Sequence, residues 1–190
     1  RVDVLIDTPG ITEAETLEKC RSVLELKPGS VWVKPCYVQA AISCLRHADI
    51  AIGTTLGCED GANATQIKVA EAKRALTEGA TRLAVRVNLG YARERHPEKL
   101  IKDLHAVSGI AHMNGARIEA AFAPLVLDVQ QVVALAHAAE QADIDMLSFP
   151  MALTEKDWGF SMMDSLLESP IPLKGVLNQA DRSDLEALFD

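Results

Sequence analysis

Residues 52–79 have the sequence IGTTLGCEDGANATQIKVAEAKRALTEG, in which a short β-rich run is followed by a glycine-containing loop and a longer amphipathic segment. Apolar residues recur at helical spacing from Ile67 onward, which predicts a helix over residues 64–77. Asn63 stands where a helix N-cap is expected, and Gly79 stands just past the end, where glycine commonly stops a helix. The stretch therefore predicts one strand–loop–helix unit.

The same kind of unit recurs along the whole chain. The β-rich runs are residues 2–6, 31–33, 50–53, 83–87, 118–122, 144–149 and 173–177. The amphipathic stretches predict helices over residues 13–26, 38–47, 64–77, 98–107, 129–141, 161–168 and 183–189. Three helix starts have independent signals, which are the capping-box spacing of Thr12, the first-turn position of Pro97 and the N-cap position of Asp128.

Regular alternation of strands and helices predicts an α/β fold with a parallel sheet. A unit spacing of roughly 25–30 residues is typical of a TIM (β/α) barrel or of a doubly wound sheet. No GxGxxG motif follows the first run and no GxxxxGK[ST] motif occurs, which favours the barrel. Seven units are visible rather than eight. We therefore expect a single domain over residues 1–190 whose barrel is open, incomplete or completed by a strand from elsewhere.

The first and last β-rich runs are the predicted edges of this sheet. Residues 2–6 and 173–177 are read as apolar strands that have no hydrogen-bonded partner in each other. Exposed edge strands favour association with another chain. We therefore expect a homo-oligomer or a chain that a partner protein stabilises.

Composition and charge exclude several classes of protein. Hydrophobic residues make up 48 % of the 190 residues and charged residues 24 %, which is typical of a globular domain. The net charge of −8 argues against a nucleic-acid partner, because binding a phosphate backbone requires a basic surface. No apolar run approaches the roughly 18 residues that a membrane span needs, so we expect no membrane association.

The cysteines and histidines indicate neither a disulfide framework nor a metal site. Cys20, Cys36, Cys44 and Cys58 have no close CxxC pairing, and no HExxH motif occurs. No secretory signal is visible at the N-terminus. These observations predict a reduced, cytoplasmic protein without a bound metal.

Three segments carry a resemblance to a known family. Residues 31–41, VWVKPCYVQAA, are similar to a second strand with its Pro-Cys-Tyr-Val turn, and residues 52–79 are similar to a third-strand loop and its following helix. Residues 88–90, Asn-Leu-Gly, follow the fourth run at the matching spacing. Together they resemble the deoxyribose-phosphate aldolases, class I aldolases built on a TIM barrel. The resemblance implies a carbon–carbon lyase that acts on a small aldehyde or sugar phosphate without a cofactor.

The resemblance also implies three catalytic groups, and this chain departs from all of them. In the family a lysine forms a Schiff base with an aldehyde, a second lysine lowers the pKa of the first, and an aspartate moves protons. Those positions fall on Ser148, near Val176 and on Ala84, respectively. The Gly-Gly turn that helps to hold phosphate reads Asn178-Gln179. Because serine cannot form an imine, we expect no appreciable cleavage of deoxyribose 5-phosphate.

Two other lysines are candidate catalytic residues. Lys174 lies two residues before Val176, so it shares a strand face with it, and a two-residue gap would place it at the second-lysine position. A lysine at the strand entry, near the bottom of the barrel, is the structural alternative. Lys34 ends the second predicted strand, on the side where barrel active sites form, although an ordinary salt bridge would also explain it.

Arg86 and Glu119 are candidate substrate-binding residues. Arg86 lies two residues beyond Ala84 and is expected to face inward, where a charge needs a partner. Glu119 on the fifth run is the expected partner, in a pair that either plugs the barrel or lets Arg86 bind an anionic substrate. Ser148 and Asn88 complete the candidate substrate-binding set.

Three functions therefore remain open at this point, and the least favoured of them is a structural subunit that completes its barrel by oligomerisation. The first is a divergent aldolase-type lyase that uses Lys34 or Lys174 as its amine, which the family resemblance favours. The second is a non-catalytic protein of the aldolase fold that binds a metabolite or a partner protein, which the missing catalytic residues favour.

Overall fold

The computed structural model describes residues 2–94, 96–123, 126–151, 166, 169 and 171–177. Its strands are β1 (Asp3–Ile6), β2 (Ser30–Val33), β3 (Ala51–Leu56), β4 (Arg82–Arg86), β5 (Arg117–Ala121), β6 (Met146–Met151) and β7 (Leu173–Leu177). Its α-helices are α1 (Glu13–Ser22), α2 (Val38–Leu45), α3 (Thr65–Thr77), α4 (Leu89–Arg93), α5 (Pro97–Met113) and α6 (Val129–Gln141). Short 3₁₀ helices lie at Val23–Leu26 and Pro35–Tyr37.

The strands form one parallel sheet in the order β1-β2-β3-β4-β5-β6-β7. Each strand is hydrogen-bonded to the next along the chain, which confirms the predicted α/β architecture. The side chain of Lys174 on β7 reaches Asp3 on β1, with Nζ and Oδ2 2.9 Å apart. The sheet is therefore curled until its two edges approach each other. In the part of the chain that the structure describes, no backbone pairing joins β1 to β7, so the barrel is open there.

The two faces of the curled sheet bury different residues. Outward-facing side chains pack under the helices in the main core, among them Val31, Val33, Leu83, Val85, Ile118 and Ala120. A second and much smaller apolar cluster consists of Trp32, Ala84 and Ala121, on the alternate positions of three of these strands. Because side chains alternate across a strand, this small cluster faces the inside of the barrel.

Several element boundaries differ from the sequence prediction. The predicted helix over residues 98–107 extends to Met113, and the predicted strand over residues 50–53 extends to Leu56. The predicted helix over residues 13–26 changes to 3₁₀ geometry at Val23. The short helix α4 was not predicted. The predicted helices over residues 161–168 and 183–189 fall almost wholly outside the described residues.

The helix starts follow the expected capping chemistry with one exception. Thr12 and Glu15 form a capping box, Asp128 forms another with Gln131, and Pro97 lies in the first turn of α5. The N-cap prediction for Asn63 is wrong, because the N-cap of α3 is Ala64, which makes no side-chain capping bond. The Asn63 Oδ1 instead accepts a hydrogen bond from the Cys58 amide at 2.8 Å, which closes the loop before the helix.

A buried ion pair joins α3, α5 and the end of β4. Lys68 Nζ lies 2.6 Å from Asp103 Oδ2 and donates a second hydrogen bond to the Arg86 carbonyl oxygen at 3.0 Å. The Thr65 hydroxyl donates to the other Asp103 oxygen at 2.6 Å. Both charged side chains are almost fully buried. Each buried charge is therefore compensated by the other, and the pair fixes the position of α3 against α5.

Replacing one partner of this pair should be strongly destabilising. In Asp103→Asn the Lys68 ammonium stays buried without its counter-ion, so we expect the free energy of unfolding to fall by about 3–5 kcal/mol. The double variant Lys68→Met, Asp103→Leu removes both charges and should recover most of the loss. Urea unfolding of the three proteins measures the difference, and an unchanged stability of Asp103→Asn would contradict the interpretation.

Candidate functional site

Lys174 is the second residue of β7 and projects into the barrel. Its register partner on β6 is Ser148, the position to which the family resemblance assigns the Schiff-base lysine. The Lys174 side chain is 19 % exposed. Lys174 is thus in the same row of the sheet as Ser148, on the neighbouring strand β7.

Two carboxylates from distant strands hold the Lys174 ammonium. Nζ lies 2.9 Å from Asp3 Oδ2 and 3.0 and 3.2 Å from the two oxygens of Glu119. Lys174 stands at the entry of β7 and pairs with the first residue of β1, which fits the structural alternative of a strand-entry lysine, and its enclosure by two carboxylates is an additional feature that was not foreseen. The edge strands are apolar at their centres, and each carries one charge near its start, Asp3 on β1 and Lys174 on β7, which pair across the opening.

Trp32 lies beneath the ammonium. Lys174 Nζ is 4.2 Å from the centroid of the Trp32 ring, a cation–π distance, and the indole Nε1 donates to Ser30 Oγ at 2.8 Å. The ring also lies against Gly53, where a Cβ would come within 2.6 Å of it. Trp32 is buried, so the same ring fills the interior and contacts the amine. The other tryptophan, Trp158, lies outside the described residues.

Burial sets the two carboxylates apart. Desolvation raises the pKa of Glu119 above its ordinary range and outweighs the opposing charge of Lys174 and a weaker hydrogen bond from Ser148. Burial also tends to raise the pKa of Asp3. Hydrogen bonds from Lys174 and Ser30, together with the Lys174 charge, outweigh it and hold that pKa below its ordinary value. The Glu119 side chain is 8 % exposed and that of Asp3 is 29 % exposed. One carboxyl is thus suited to hold a proton and the other to stay charged.

The ion pair expected between Arg86 and Glu119 is not formed. Glu119 pairs with Lys174, because its register partner on β4 is Ala84 and the lysine reaches across the barrel to it. Arg86 is half-buried at the carboxyl end of β4 and shares a row of the sheet with Ala121, Ser148 and Lys174. It is a nearby cation rather than the partner of the buried carboxylate.

The remaining candidate residues lie at the carboxyl ends of their strands. Lys34 follows β2 directly, is partly exposed and makes no ion pair with any residue that the structure describes. Asn88 is buried, and its Oδ1 accepts a hydrogen bond from the Tyr91 amide at 3.1 Å, so it caps α4. Asn178 and Gln179, at the position of the phosphate-binding turn, lie outside the described residues.

The structure therefore brings Lys174, Glu119 and Ser148 together and adds Asp3 and Trp32, which were not among the candidates. A signal for Asp3 was present in the sequence, since it is a lone carboxylate within a β-rich run opposite a lone lysine in the last run. Within the described ranges no group of three or more His, Cys, Asp or Glu side chains is placed to hold a metal ion. No helix among those ranges is both long and apolar enough to cross a membrane.

The two carboxylates should give the free energy of unfolding opposite pH dependences. Ionised Asp3 stabilises the folded chain, and this contribution is present above its ordinary pKa of 3.8 and is lost as the pH falls through the lower folded-state value. Glu119 holds a proton more tightly in the folded chain than in the unfolded one, so its contribution declines as the pH rises above 4.5.

We expect the stability advantage of wild type over Asp3→Asn to grow with rising pH, and that over Glu119→Gln to shrink. Urea unfolding of the three proteins from acidic to neutral pH measures both differences. The two variants serve as controls for each other, because each removes one carboxylate from the same lysine. Slopes of the same sign would contradict the division between the two carboxylates.

Known proteins resemble this chain in sequence and in structure. No family model matches it. A deoxyribose-phosphate aldolase of Thermococcus kodakarensis is 30 % identical over 141 residues, which cover 73 % of this chain and 63 % of that relative. The chain thus spans less than two thirds of the length of that relative. Further relatives of the same name are 25 to 29 % identical.

Solved structures show the same fold. A crystal structure of a candidate deoxyribose-phosphate aldolase from Coccidioides immitis superposes with a TM-score of 0.85 at 23 % identity, covering 97 % of this chain and 74 % of that one. A tetrameric deoxyribose phosphate aldolase from Aeropyrum pernix has a TM-score of 0.70 at 19 % identity and covers 78 % of this chain and 62 % of that one. The chain is thus a homologue of proteins named deoxyribose-phosphate aldolase, and its seven parallel strands have the TIM-barrel fold of the class I aldolases.

Proposed function

We propose that the chain is an aldolase-type carbon–carbon lyase in which Lys174 is the imine-forming amine. The observation that carries this proposal is the enclosure of Lys174 Nζ inside the barrel, between Asp3 and Glu119 and over the Trp32 ring. The homologues named deoxyribose-phosphate aldolase support the reaction class.

The surroundings of Lys174 suit both states that imine chemistry requires. Attack on a carbonyl needs a neutral amine, and Glu119 in direct contact can accept the ammonium proton because burial raises its pKa. The nitrogen attacks the carbonyl carbon to give a carbinolamine, the Glu119 carboxyl returns its proton to the departing hydroxyl, and loss of water leaves a cationic iminium beside the Glu119 carboxylate. Asp3 then remains as the counter-ion, and the indole face of Trp32 stabilises the positive charge.

Lys174 is a better candidate amine than Lys34. Lys174 is the register neighbour of Ser148, so it replaces the missing Schiff-base lysine from the adjacent strand at the same height. Lys34 lies beyond the end of β2 and contacts neither described carboxylate of the site. Barrel active sites collect groups from the ends of several strands, so a displacement of one strand keeps the amine within reach of the same substrate.

A small aldehyde is the proposed substrate class, with a sugar phosphate as the larger alternative. Arg86 lies in the same row of the sheet as Lys174 and is the proposed contact for an anionic end of the substrate. Ser148 and Glu119 would contact the reacting end, and Asn88 would hold the loop near Arg86. We expect no appreciable cleavage of deoxyribose 5-phosphate itself, because Ala84, Ser148 and the Asn178-Gln179 turn all differ from the family pattern.

The proposal predicts a covalent adduct on one lysine. Borohydride reduction in the presence of acetaldehyde, glycolaldehyde or deoxyribose 5-phosphate should add the reduced carbonyl compound to Lys174, as mapped by peptide mass spectrometry. Lys174→Met should lose the adduct, since a thioether cannot form an imine. Lys34→Met is the matched control and should keep it.

Two results would overturn the assignment. An adduct that persists in Lys174→Met and disappears in Lys34→Met would move the amine to Lys34. The absence of any active-site adduct with all three carbonyl compounds would favour the alternative function, a non-catalytic aldolase-fold protein that binds a metabolite or a partner protein.

We further propose that the chain is a homo-oligomer of a reducing compartment such as the cytoplasm. Val2 and Leu5 are 48 % and 42 % exposed on or beside the edge strand β1, and the Aeropyrum pernix neighbour is tetrameric. The four cysteines are free thiols, which suits a reducing compartment. An exposed apolar edge favours pairing with another chain.

Sedimentation should therefore show a dimer or a larger assembly at micromolar concentration. A lysine beside the edge strand should oppose association, so Val2→Lys is expected to weaken it by about tenfold or more. Met113→Lys, at an exposed apolar residue on α5, is the control and should not change it. A monomer at all concentrations would contradict the proposal.

A further inference from the structure

Glu119 is the more deeply buried of the two carboxylates on the Lys174 amine. We infer that Glu119 is the catalytic residue that moves the proton at the carbon next to the iminium, while Asp3 acts only as the fixed counter-ion. This inference rests on the proposed imine at Lys174. It assigns to Glu119 a role beyond binding substrate.

The contacts of the two carboxylates indicate different roles for them. Glu119 places both oxygens on Nζ, at 3.0 and 3.2 Å, so one oxygen can turn to the carbon next to the imine carbon while the other keeps its contact with the nitrogen. Asp3 makes its contact through Oδ2 at 2.9 Å and lies on the more exposed side, on the edge strand. Buried Glu119 is therefore the carboxylate enclosed with the reacting atoms.

The register of the sheet shows why this carboxylate comes from β5. Ala84 on β4 is the direct register partner of Glu119 and packs with Trp32 and Ala121 in the small inner cluster. A longer acidic side chain at position 84 would compete with the indole for the same space. The neighbouring strand β5 instead supplies a carboxylate, Glu119, in the same row of the sheet. The amine is displaced in the same direction, from Ser148 on β6 to Lys174 on β7.

The step can be written with its atoms and electrons in balance. Once the carbonyl compound is joined to Lys174 as an iminium, the bond between the adjacent carbon and its hydrogen breaks. The proton passes to a Glu119 oxygen, and the electron pair forms the carbon–carbon double bond of a neutral enamine, while the C=N bond becomes a single bond to nitrogen. The reverse step returns the proton from the Glu119 carboxyl to that carbon. No oxidant, reductant or further reactant is consumed.

The other nearby groups are poorly suited to this transfer. The guanidinium of Arg86 stays protonated and cannot accept a proton. The Ser148 hydroxyl is a weak base, and it hydrogen-bonds to Glu119, which is the stronger base of the two. Asp3 is held in its charged form by Lys174 and Ser30, so it is a weak base. Burial raises the pKa of Glu119 and so makes it the stronger base of the two carboxylates.

Exchange of carbon-bound hydrogen tests the assignment separately from imine formation. Acetaldehyde is incubated with the intact protein in D₂O, and loss of its methyl proton signal is followed by NMR, while borohydride trapping measures the imine in the same samples. Wild type should both trap and exchange, and Lys174→Met should do neither. In Glu119→Gln we expect trapping at saturating acetaldehyde to persist while exchange per trapped imine falls by about 10²–10⁴-fold. Asp3→Asn removes the counter-ion and should lower imine trapping more than exchange per trapped imine, and Glu78→Gln, a carboxylate outside the site that pairs with Arg74, is the control and should change neither.

Each outcome supports or overturns the inference. Trapping without a fall in exchange in Glu119→Gln would overturn it and leave the proposed function intact, and a fall confined to Asp3→Asn would transfer the role to Asp3. Absence of trapping in wild type would instead refute the proposed function. If Glu119→Gln does not fold, Glu119→Asp keeps the charge but draws the carboxylate back by one bond. Its exchange per trapped imine should then fall by about tenfold or more, and wild-type exchange in that variant would overturn the inference.

Discussion

The Lys174 ammonium is the charge around which the inside of the barrel is organised. A cation in this position is tolerated only with close counter-charges, and these come from β1 and β5. Three strands far apart in the sheet must therefore keep their registers together. A slip of one residue in β7 would turn Lys174 to the helix side and leave Glu119 buried without a partner.

The volume of the Trp32 indole is the second constraint on the interior. Its ring requires a glycine at position 53 and lies with alanines at positions 84 and 121. These small residues leave no carboxylate or amine on the inner positions of β3 and β4. The two carboxylates and the amine of the site consequently come from β1, β5 and β7, and Arg86 is the cation that β4 adds at its carboxyl end. The departure from the family pattern at Ala84 and the presence of Trp32 are thus two aspects of one packing arrangement.

The fold was largely predictable from sequence because strand and helix periodicity is a local property of the chain. The seven strands and the capping boxes at Thr12 and Asp128 follow from residues close together in sequence. The site was less predictable, since its contacts depend on how far the sheet curls. Arg86 was expected to pair with Glu119 on the adjacent strand, whereas Lys174 reaches that carboxylate from across the barrel. The Asn63 prediction was wrong for a different reason, because the loop amide of Cys58 competes for the same side-chain oxygen.

The ion pair between Asp3 and Lys174 joins residues near opposite ends of the described chain, and this has a consequence for biosynthesis. A ribosome releases β1 through β5 well before it adds β7. During that interval neither Asp3 nor Glu119 has its cationic partner on β7. Closing the inside of the sheet at that stage would bury unpaired carboxylates, which costs free energy. Arrival of Lys174 then supplies the counter-charge, so the interior can close only when the last described strand has been made.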